Sequence, residues 1–184
     1  MNHVIQLIFG FGWIAFWGYW IYMAIKTRQP SQNRSSHGIG VRLTIVLVLF
    51  VILNHTPSRW SHQIQNHFLQ ILGLILFTVG VIIAVWARIY LSGSWGFPGY
   101  QRDKTELIMT GPYKFIRHPI YTGIITAMIG TAIALALYLL IVCLISASYF
   151  IWNAMSEEKY LVNKFPNVYP GYLKKTKMLI PFIF

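Results

Sequence analysis

Long apolar runs constrain this chain more than any other feature of its sequence. They lie at residues 4–25, 39–55, 67–91, 119–135 and 137–155 and contain few charged side chains. A helix needs about 20 apolar residues to cross the hydrocarbon core of a bilayer. Hydrophobic residues make up 56% of the chain and charged residues only 10%, unlike a soluble globular domain. The sequence therefore predicts an all-α, polytopic integral membrane bundle of about five transmembrane helices, forming one domain over residues 1–184.

The last two apolar runs form one continuous stretch that is too long for one helix and too apolar for an aqueous loop. We interpret it as a helical hairpin that turns near Leu135. Residues 1–91 would then supply three helices, and residues 92–184 a segment before the hairpin, the hairpin itself and a tail. We expect the tail to continue the last helix and to break at Pro166 and Pro170. Its aromatic residues suit an amphipathic segment at the membrane interface, and they are Tyr160, Phe165, Tyr169 and Tyr172.

Basic residues predict the orientation of the bundle. Lysine and arginine collect between residues 26 and 42, between 92 and 118, and in the tail, whereas residues 56–66 carry only Arg59. Because cytoplasmic loops are enriched in Lys and Arg, we expect the N-terminus outside and the C-terminus in the cytoplasm. The membrane would be the inner membrane of a prokaryote, and the net charge of +11 would serve topology and contact with lipid head groups rather than nucleic acid.

The segment "GPYKFIRHPIYTG" at residues 111–123 places basic residues directly before an apolar run. Pro119 suits the first turn of a helix, which makes Arg117 and His118 its cap region. The N-terminus of a helix offers unpaired N–H groups and a positive dipole end to an anion. The segment is therefore either a binding site for a carboxylate or polar cofactor edge, or a simple anchor at lipid head groups.

Acidic residues occur in only two short regions, at Asp103 and Glu106 and at Glu157 and Glu158. The second pair lies at the predicted cytoplasmic end of the last helix, one turn beyond Asn153. A carboxylate near a membrane interface is costly unless it is solvated or paired. These residues therefore form a candidate site, with a solvated helix end as the alternative.

Together, "GPYKFIRHPIYTG" and the later "EEKYLVNKFPNVYPGY" resemble the isoprenylcysteine carboxyl methyltransferase family and the related membrane phospholipid methyltransferases. The resemblance covers about residues 86–184 and includes "ARIYLSGSW" at residues 87–95. It implies an enzyme that uses S-adenosylmethionine as its cofactor and binds it in a pocket built from the last helices and the tail.

Carried over to this sequence, the resemblance implies a set of cofactor residues in three short segments. The basic cap could receive the methionine carboxylate, Glu157 could pair with the ammonium, and aromatic faces could hold the adenine or the sulfonium. Glu157 or Glu158 could also act as a catalytic base for an amine or thiol acceptor. The implied cofactor residues are Thr105, Glu106, Leu107, Ile108, Tyr113, Arg117, His118, Pro119, Ile120, Tyr121 and Glu157.

The sequence departs from the family pattern at positions that bear on the substrate. Members acting on a prenylcysteine carboxylate tend to have an arginine where this chain has Asn153, the candidate substrate residue. An asparagine cannot bind a carboxylate through two charged N–H donors as an arginine does. Glu106 replaces a histidine, and Phe165-Pro166 replaces a Phe-Gly pair. We therefore expect methyl transfer to a lipophilic acceptor that enters from the bilayer: a prenylcysteine-like carboxylate, another lipid, an amine or a thiol. The alternatives are a sterol-type membrane reductase using NADPH and a scaffold without enzymatic activity.

Several other features point to structure rather than chemistry. "GFGWIA" at residues 10–15 fits a dinucleotide pattern but lies within a predicted span, where a small-residue packing face is expected. Arg88 is expected to extend toward the membrane surface, and Cys143 to be a buried thiol. The spacing of His55, His62 and His67 fits no standard metal site, so we expect no bound metal.

Overall fold

The computed structural model describes residues 2–26, 64, 66–91, 107–181 and 183. Regular structure in these ranges is helical, apart from an isolated parallel bridge between Ile116 and Lys177. The predicted helix at residues 39–55, and the candidates Thr105 and Glu106, lie outside the described residues. The helices are α1 (Asn2–Lys26), α2 (His67–Leu91), α3 (Pro119–Leu135), α4 (Leu139–Lys164) and α5 (Tyr169–Lys175), with a 3₁₀ turn at Gly111–Lys114.

In these described ranges, three helices are long and apolar enough to cross a membrane: His3–Met23 within α1, all of α2 and all of α4. α3 is a shorter apolar helix of 17 residues. α1, α2 and α4 also expose large apolar side chains, such as Phe11, Ile71 and Leu144, that lipid tails can solvate. The prediction of a helical integral membrane protein is therefore confirmed, while the count of five helices stays a prediction.

The helical hairpin forms where the sequence predicted it. α3 begins at Pro119, with His118 as its N-cap, and ends at Leu135, and α4 begins at Leu139. Pro119 fits the first turn because the N–H that proline lacks would have no partner within the helix there. The intervening turn is closed by the Leu139 N–H, which donates to the Ala136 carbonyl over 3.1 Å.

Small residues let α2 and α3 pack backbone against backbone. A Cβ added at Gly80 would lie 2.5 Å from both the Gly123 carbonyl oxygen and the Ala127 nitrogen. A second contact of this kind joins Gly73 and Gly130. Gly73 lies seven residues before Gly80 on α2, whereas Gly130 lies seven residues after Gly123 on α3, so the two helices run antiparallel. Membrane helices associate through such close van der Waals packing because lipid provides no hydrophobic force between them.

The small residues near the N-terminus behave differently from this interface. A Cβ at Gly12 would approach the Phe77 ring, whereas one at Gly10 would meet nothing within 4 Å. The predicted packing face in "GFGWIA" is therefore confirmed at Gly12 but not at Gly10. Beside it, the Trp13 indole Nε1–H donates to the Thr131 hydroxyl over 3.1 Å, and this joins α1 to α3.

The tail folds back onto the start of α3. α4 continues to Lys164, so the predicted extension and the break near Pro166 are confirmed. The second predicted break is wrong, because Pro170 lies in the first turn of α5, where proline is tolerated. Beyond α5, the Arg117 N–H donates to the Lys177 carbonyl over 2.8 Å and the His118 N–H to the Met178 carbonyl over 3.1 Å. Residues 177–178 therefore lie beside the cap of α3.

Candidate functional site

The candidate site lies where α3 begins, α4 extends beyond the hairpin and the tail returns. The centre of this site is a charged cluster, which consists of Arg117, His118, Glu157 and Glu158. Glu158 Oε1 lies 2.6 Å from Arg117 Nε and 3.2 Å from His118 Nε2. Glu157 Oε2 lies 3.9 Å from His118 Nδ1. The imidazole therefore stands between the carboxylates of two consecutive glutamates.

The two glutamates are not equivalent in the structure, and the resemblance had already assigned only Glu157 to the cofactor. The Glu158 side chain is 14% exposed and lies against Arg117 and His118. The Glu157 side chain is 35% exposed, and its nearer histidine nitrogen is too distant for a good hydrogen bond. Glu157 is thus the more exposed of the two carboxylates and the one that a ligand can reach more easily.

Arg117 holds the tail as well as Glu158. Its Nη1 donates to the Thr176 carbonyl and, over 3.4 Å, to the Leu173 carbonyl. Thr122 on α3 adds a further bond, from its hydroxyl to the Leu179 carbonyl over 2.7 Å. The guanidinium predicted to receive a cofactor carboxylate is therefore occupied by contacts that fasten residues 173–176 to the bundle.

Replacing Arg117 with alanine is expected to release this tail. The change leaves the Glu158 carboxylate without its arginine and removes donors from two tail carbonyls, at a cost of about 2–4 kcal/mol in unfolding free energy. Hydrogen exchange of the amides between residues 172 and 179 should rise much more than that of α2. Lys174→Ala, which removes an exposed cation from the same segment, serves as the control and should change neither. Unchanged exchange in the Arg117 variant would contradict the assignment.

Aromatic rings form a stack behind the charged cluster. The His118 and Tyr121 rings lie 5.5 Å apart with an angle of 6° between their planes. Tyr121 also stacks with Phe150 of α4, with ring centroids 5.0 Å apart. The stack fixes the plane of the imidazole, so its two nitrogens face the glutamates without depending on the charged contacts alone.

Tyr113 connects the 3₁₀ turn to the bundle and to the tail. Its hydroxyl donates to the Ala87 carbonyl over 3.4 Å, and its own carbonyl accepts a hydrogen bond from the Tyr172 hydroxyl. Burial, and then the Glu157 carboxylate, raise the pKa of Tyr113 well above its usual value. Burial likewise raises the pKa of Tyr172 to about 12, so both phenols remain donors at neutral pH.

Asn153 lies on α4 one turn before Glu157 and is only 5% exposed. Its side-chain amide donates to the Tyr149 carbonyl, four residues earlier, over 3.1 Å. This bond uses one of the two N–H donors of the side-chain amide. The structure places the candidate substrate residue beside the site but with its N–H donor partly committed to its own helix.

The remaining predicted residues line the same end of the bundle. Pro119 and Ile120 are buried at the start of α3, and Ile108 packs against the core cluster that contains Tyr113 and Tyr121. Leu107 packs instead against the buried residues of the tail. Every predicted site residue that the structure describes therefore lies at this end.

Sequence reasoning missed several residues that build the site. Arg88 does not reach the membrane surface as predicted: it is 0% exposed, and its Nη2 donates to the Met23 carbonyl over 3.4 Å. An arginine in an apolar helix was the signal for such a buried role. Thr176 was not singled out, and Tyr172 was assigned only to an amphipathic segment at the membrane interface, because their partners Arg117 and Tyr113 are distant in sequence. Residues 107–181 and the other described ranges hold no group of three or more His, Cys, Asp or Glu placed to bind a metal, and the absence of a metal stays a prediction.

Comparison with known proteins places this geometry in context. The chain is 27% identical over 161 residues to the nickel-cobalt-cadmium resistance protein NccN of Alcaligenes xylosoxydans xylosoxydans, covering 86% of this chain and 71% of that protein. It is 37% identical over 137 residues to methanethiol S-methyltransferase 1 of Bradyrhizobium diazoefficiens, covering 74% of this chain but only 38% of the relative.

One solved structure and one family model also match this chain, and both are described as methyltransferases. The structure of the eukaryotic intramembrane Ras methyltransferase, isoprenylcysteine carboxyl methyltransferase, superposes with a TM-score of 0.68 over 99% of this chain and 68% of that chain, at 22% identity. The fold is therefore shared. The family model described as phospholipid methyltransferase matches residues 68–168, which include α2, α3 and α4. The chain therefore belongs to the phospholipid methyltransferase family of membrane proteins, and the predicted resemblance to isoprenylcysteine carboxyl methyltransferases is confirmed.

Proposed function

We propose that this protein transfers a methyl group from S-adenosylmethionine to a lipophilic acceptor. The observation that carries the proposal is the partly exposed Glu157 carboxylate, held near His118 at the N-terminus of α3 in a membrane chain of this family. A helix N-terminus beside a carboxylate offers complementary partners to a ligand that bears both an anion and a cation. The amino acid portion of S-adenosylmethionine is such a ligand.

The side chains present fit this cofactor. Glu157 would pair with the ammonium, and the first-turn N–H groups of α3 at Ile120 and Tyr121 would receive the carboxylate. The apolar side chains of Leu107 and Ile108 would cover the adenine. Since Arg117 is bound to Glu158 and to the tail, we assign it to holding the tail rather than to direct contact with the cofactor.

When bound, the cofactor supplies a methyl group that its sulfonium has already activated. The protein then has to align the acceptor with that methyl and to exclude water. The stacked rings of His118, Tyr121 and Phe150 would form an aromatic wall beside the methyl group. Glu158 is bound to Arg117 and His118, which makes it a weaker candidate base than the more exposed Glu157.

The acceptor is expected to be a thiol or an amine on a lipophilic molecule. The neutral Asn153 cannot offer an acceptor carboxylate the paired, charge-assisted hydrogen bonds of an arginine, and one of its two N–H donors already bonds the Tyr149 carbonyl. A relative named as a methanethiol S-methyltransferase supports sulfur as the acceptor atom. We expect the acceptor to enter laterally from the bilayer, and the site to face the cytoplasm, where the cofactor is made.

Calorimetry on the detergent-purified protein tests this proposal. S-adenosylmethionine and S-adenosylhomocysteine are expected to bind in the micromolar range, and NADPH not to bind. Binding of NADPH alone would support the reductase alternative, and no binding of any of them would support the scaffold. With binding established, transfer of labelled methyl to an alkyl thiol, a lipid amine and a prenylcysteine would identify the acceptor, and preference for the prenylcysteine carboxylate would contradict the argument from Asn153.

A further inference from the structure

Tyr169 has a polar group that the fold does not use. The residue lies in the first turn of α5 and is only 1% exposed. Its hydroxyl is buried and makes no hydrogen bond within the described part of the chain. Tyr172, three residues later in the same helix, donates its hydroxyl to the Tyr113 carbonyl. A buried polar group without a partner is unfavourable, so its presence calls for an explanation beyond packing.

The surroundings of Tyr169 connect it to the proposed cofactor site. With Leu161 and Tyr172 it forms a buried cluster against which Leu107 packs, and Leu107 belongs to the segment assigned to the adenine. The charged cluster is also close, because Arg117 donates to the carbonyl of Leu173 in the same helix α5. Burial, and then the Glu158 carboxylate, raise the pKa of Tyr169, while Arg117 opposes both. The phenol therefore stays protonated at neutral pH and can donate or accept one hydrogen bond.

We propose that the Tyr169 hydroxyl hydrogen-bonds a polar group of the adenosine portion of bound S-adenosylmethionine. The inference rests on the proposed function and adds a binding residue from α5. Glu157 lies against His118 and is assigned to the amino acid end of the cofactor, while Tyr169 lies against Leu107. One ligand extending from Glu157 toward Leu107 would give the hydroxyl the partner that it lacks.

Tyr169→Phe tests the inference because it removes only the hydroxyl and keeps the ring. Binding of S-adenosylhomocysteine and of methylthioadenosine, which lacks the amino acid end, is measured by calorimetry together with the thermal midpoint of the ligand-free protein. Both ligands should bind about tenfold more weakly to the variant. The midpoint should not fall, since no bond within the protein is lost.

Tyr160→Phe is the matched control. Tyr160 packs against the same tail cluster, but its hydroxyl accepts a hydrogen bond from Lys164 over 3.2 Å. Both ligands should bind to this variant as to the wild type. Unchanged affinities in Tyr169→Phe would overturn the inference, and so would weaker binding of S-adenosylhomocysteine alone, which would place the contact at the amino acid end. Failure of the wild type to bind either ligand would instead overturn the proposed function.

Discussion

Glu157→Gln is expected to weaken binding of S-adenosylhomocysteine by about 10- to 100-fold, the value of one charge-assisted hydrogen bond. The amide keeps the shape of the side chain but cannot offer a negative charge to the ligand ammonium. Because the Glu157 side chain is 35% exposed and that of Glu158 only 14%, the folded protein should tolerate this change better than the same change at Glu158. Calorimetry gives the affinity, and the thermal midpoint of the ligand-free protein reports on stability.

Glu158→Gln is the paired control for this experiment. It makes the same chemical change one residue away, where the carboxylate contacts Arg117 and His118. This variant should lose stability, whereas Glu157→Gln should lose affinity. Methylthioadenosine, which has no ammonium, should bind to Glu157→Gln as it does to the wild type. Equal losses of stability in both variants, with no loss of affinity, would show that Glu157 is only a structural residue.

Gly80→Ala is expected to destabilise the bundle by several kcal/mol or to prevent its assembly. The new methyl group would lie 2.5 Å from backbone atoms of α3, which cannot move aside as a flexible side chain can. The helices would have to separate along their whole contact, a larger effect than the ~1–3 kcal/mol that overpacking a core side chain costs. Thermal unfolding in detergent, followed by circular dichroism, measures the loss.

Gly10→Ala provides the comparison within the same chain. A Cβ at Gly10 meets nothing within 4 Å, so this variant gains only the helix propensity of alanine and should be neutral or slightly stabilised. A small effect of Gly80→Ala, similar to that of Gly10→Ala, would mean that α2 and α3 do not depend on close backbone packing.

The apolar runs and their breaks were readable from the sequence because each depends on neighbouring residues. Helix bounds at residues 67–91 and 119–135, and the turn after Leu135, follow from span length and from the position of Pro119. The break near Pro166 follows in the same way. The prediction of a break at Pro170 was wrong because a proline can either end a helix or occupy the first turn of the next one. Only the fold shows that Pro170 lies in the first turn of α5.

Part of the site could be predicted from the sequence, and the part that could not has a physical cause. The motifs at residues 111–123 and 157–172 carried the resemblance to the family, and that resemblance implied His118 and Glu157 as cofactor residues. The distinct positions of Glu157 and Glu158, the burial of Arg88, and the capture of the tail by Arg117 depend on contacts between residues about 40 to 65 positions apart. Such contacts are set by how the helices and the tail pack against one another, and this packing is decided only in the tertiary structure.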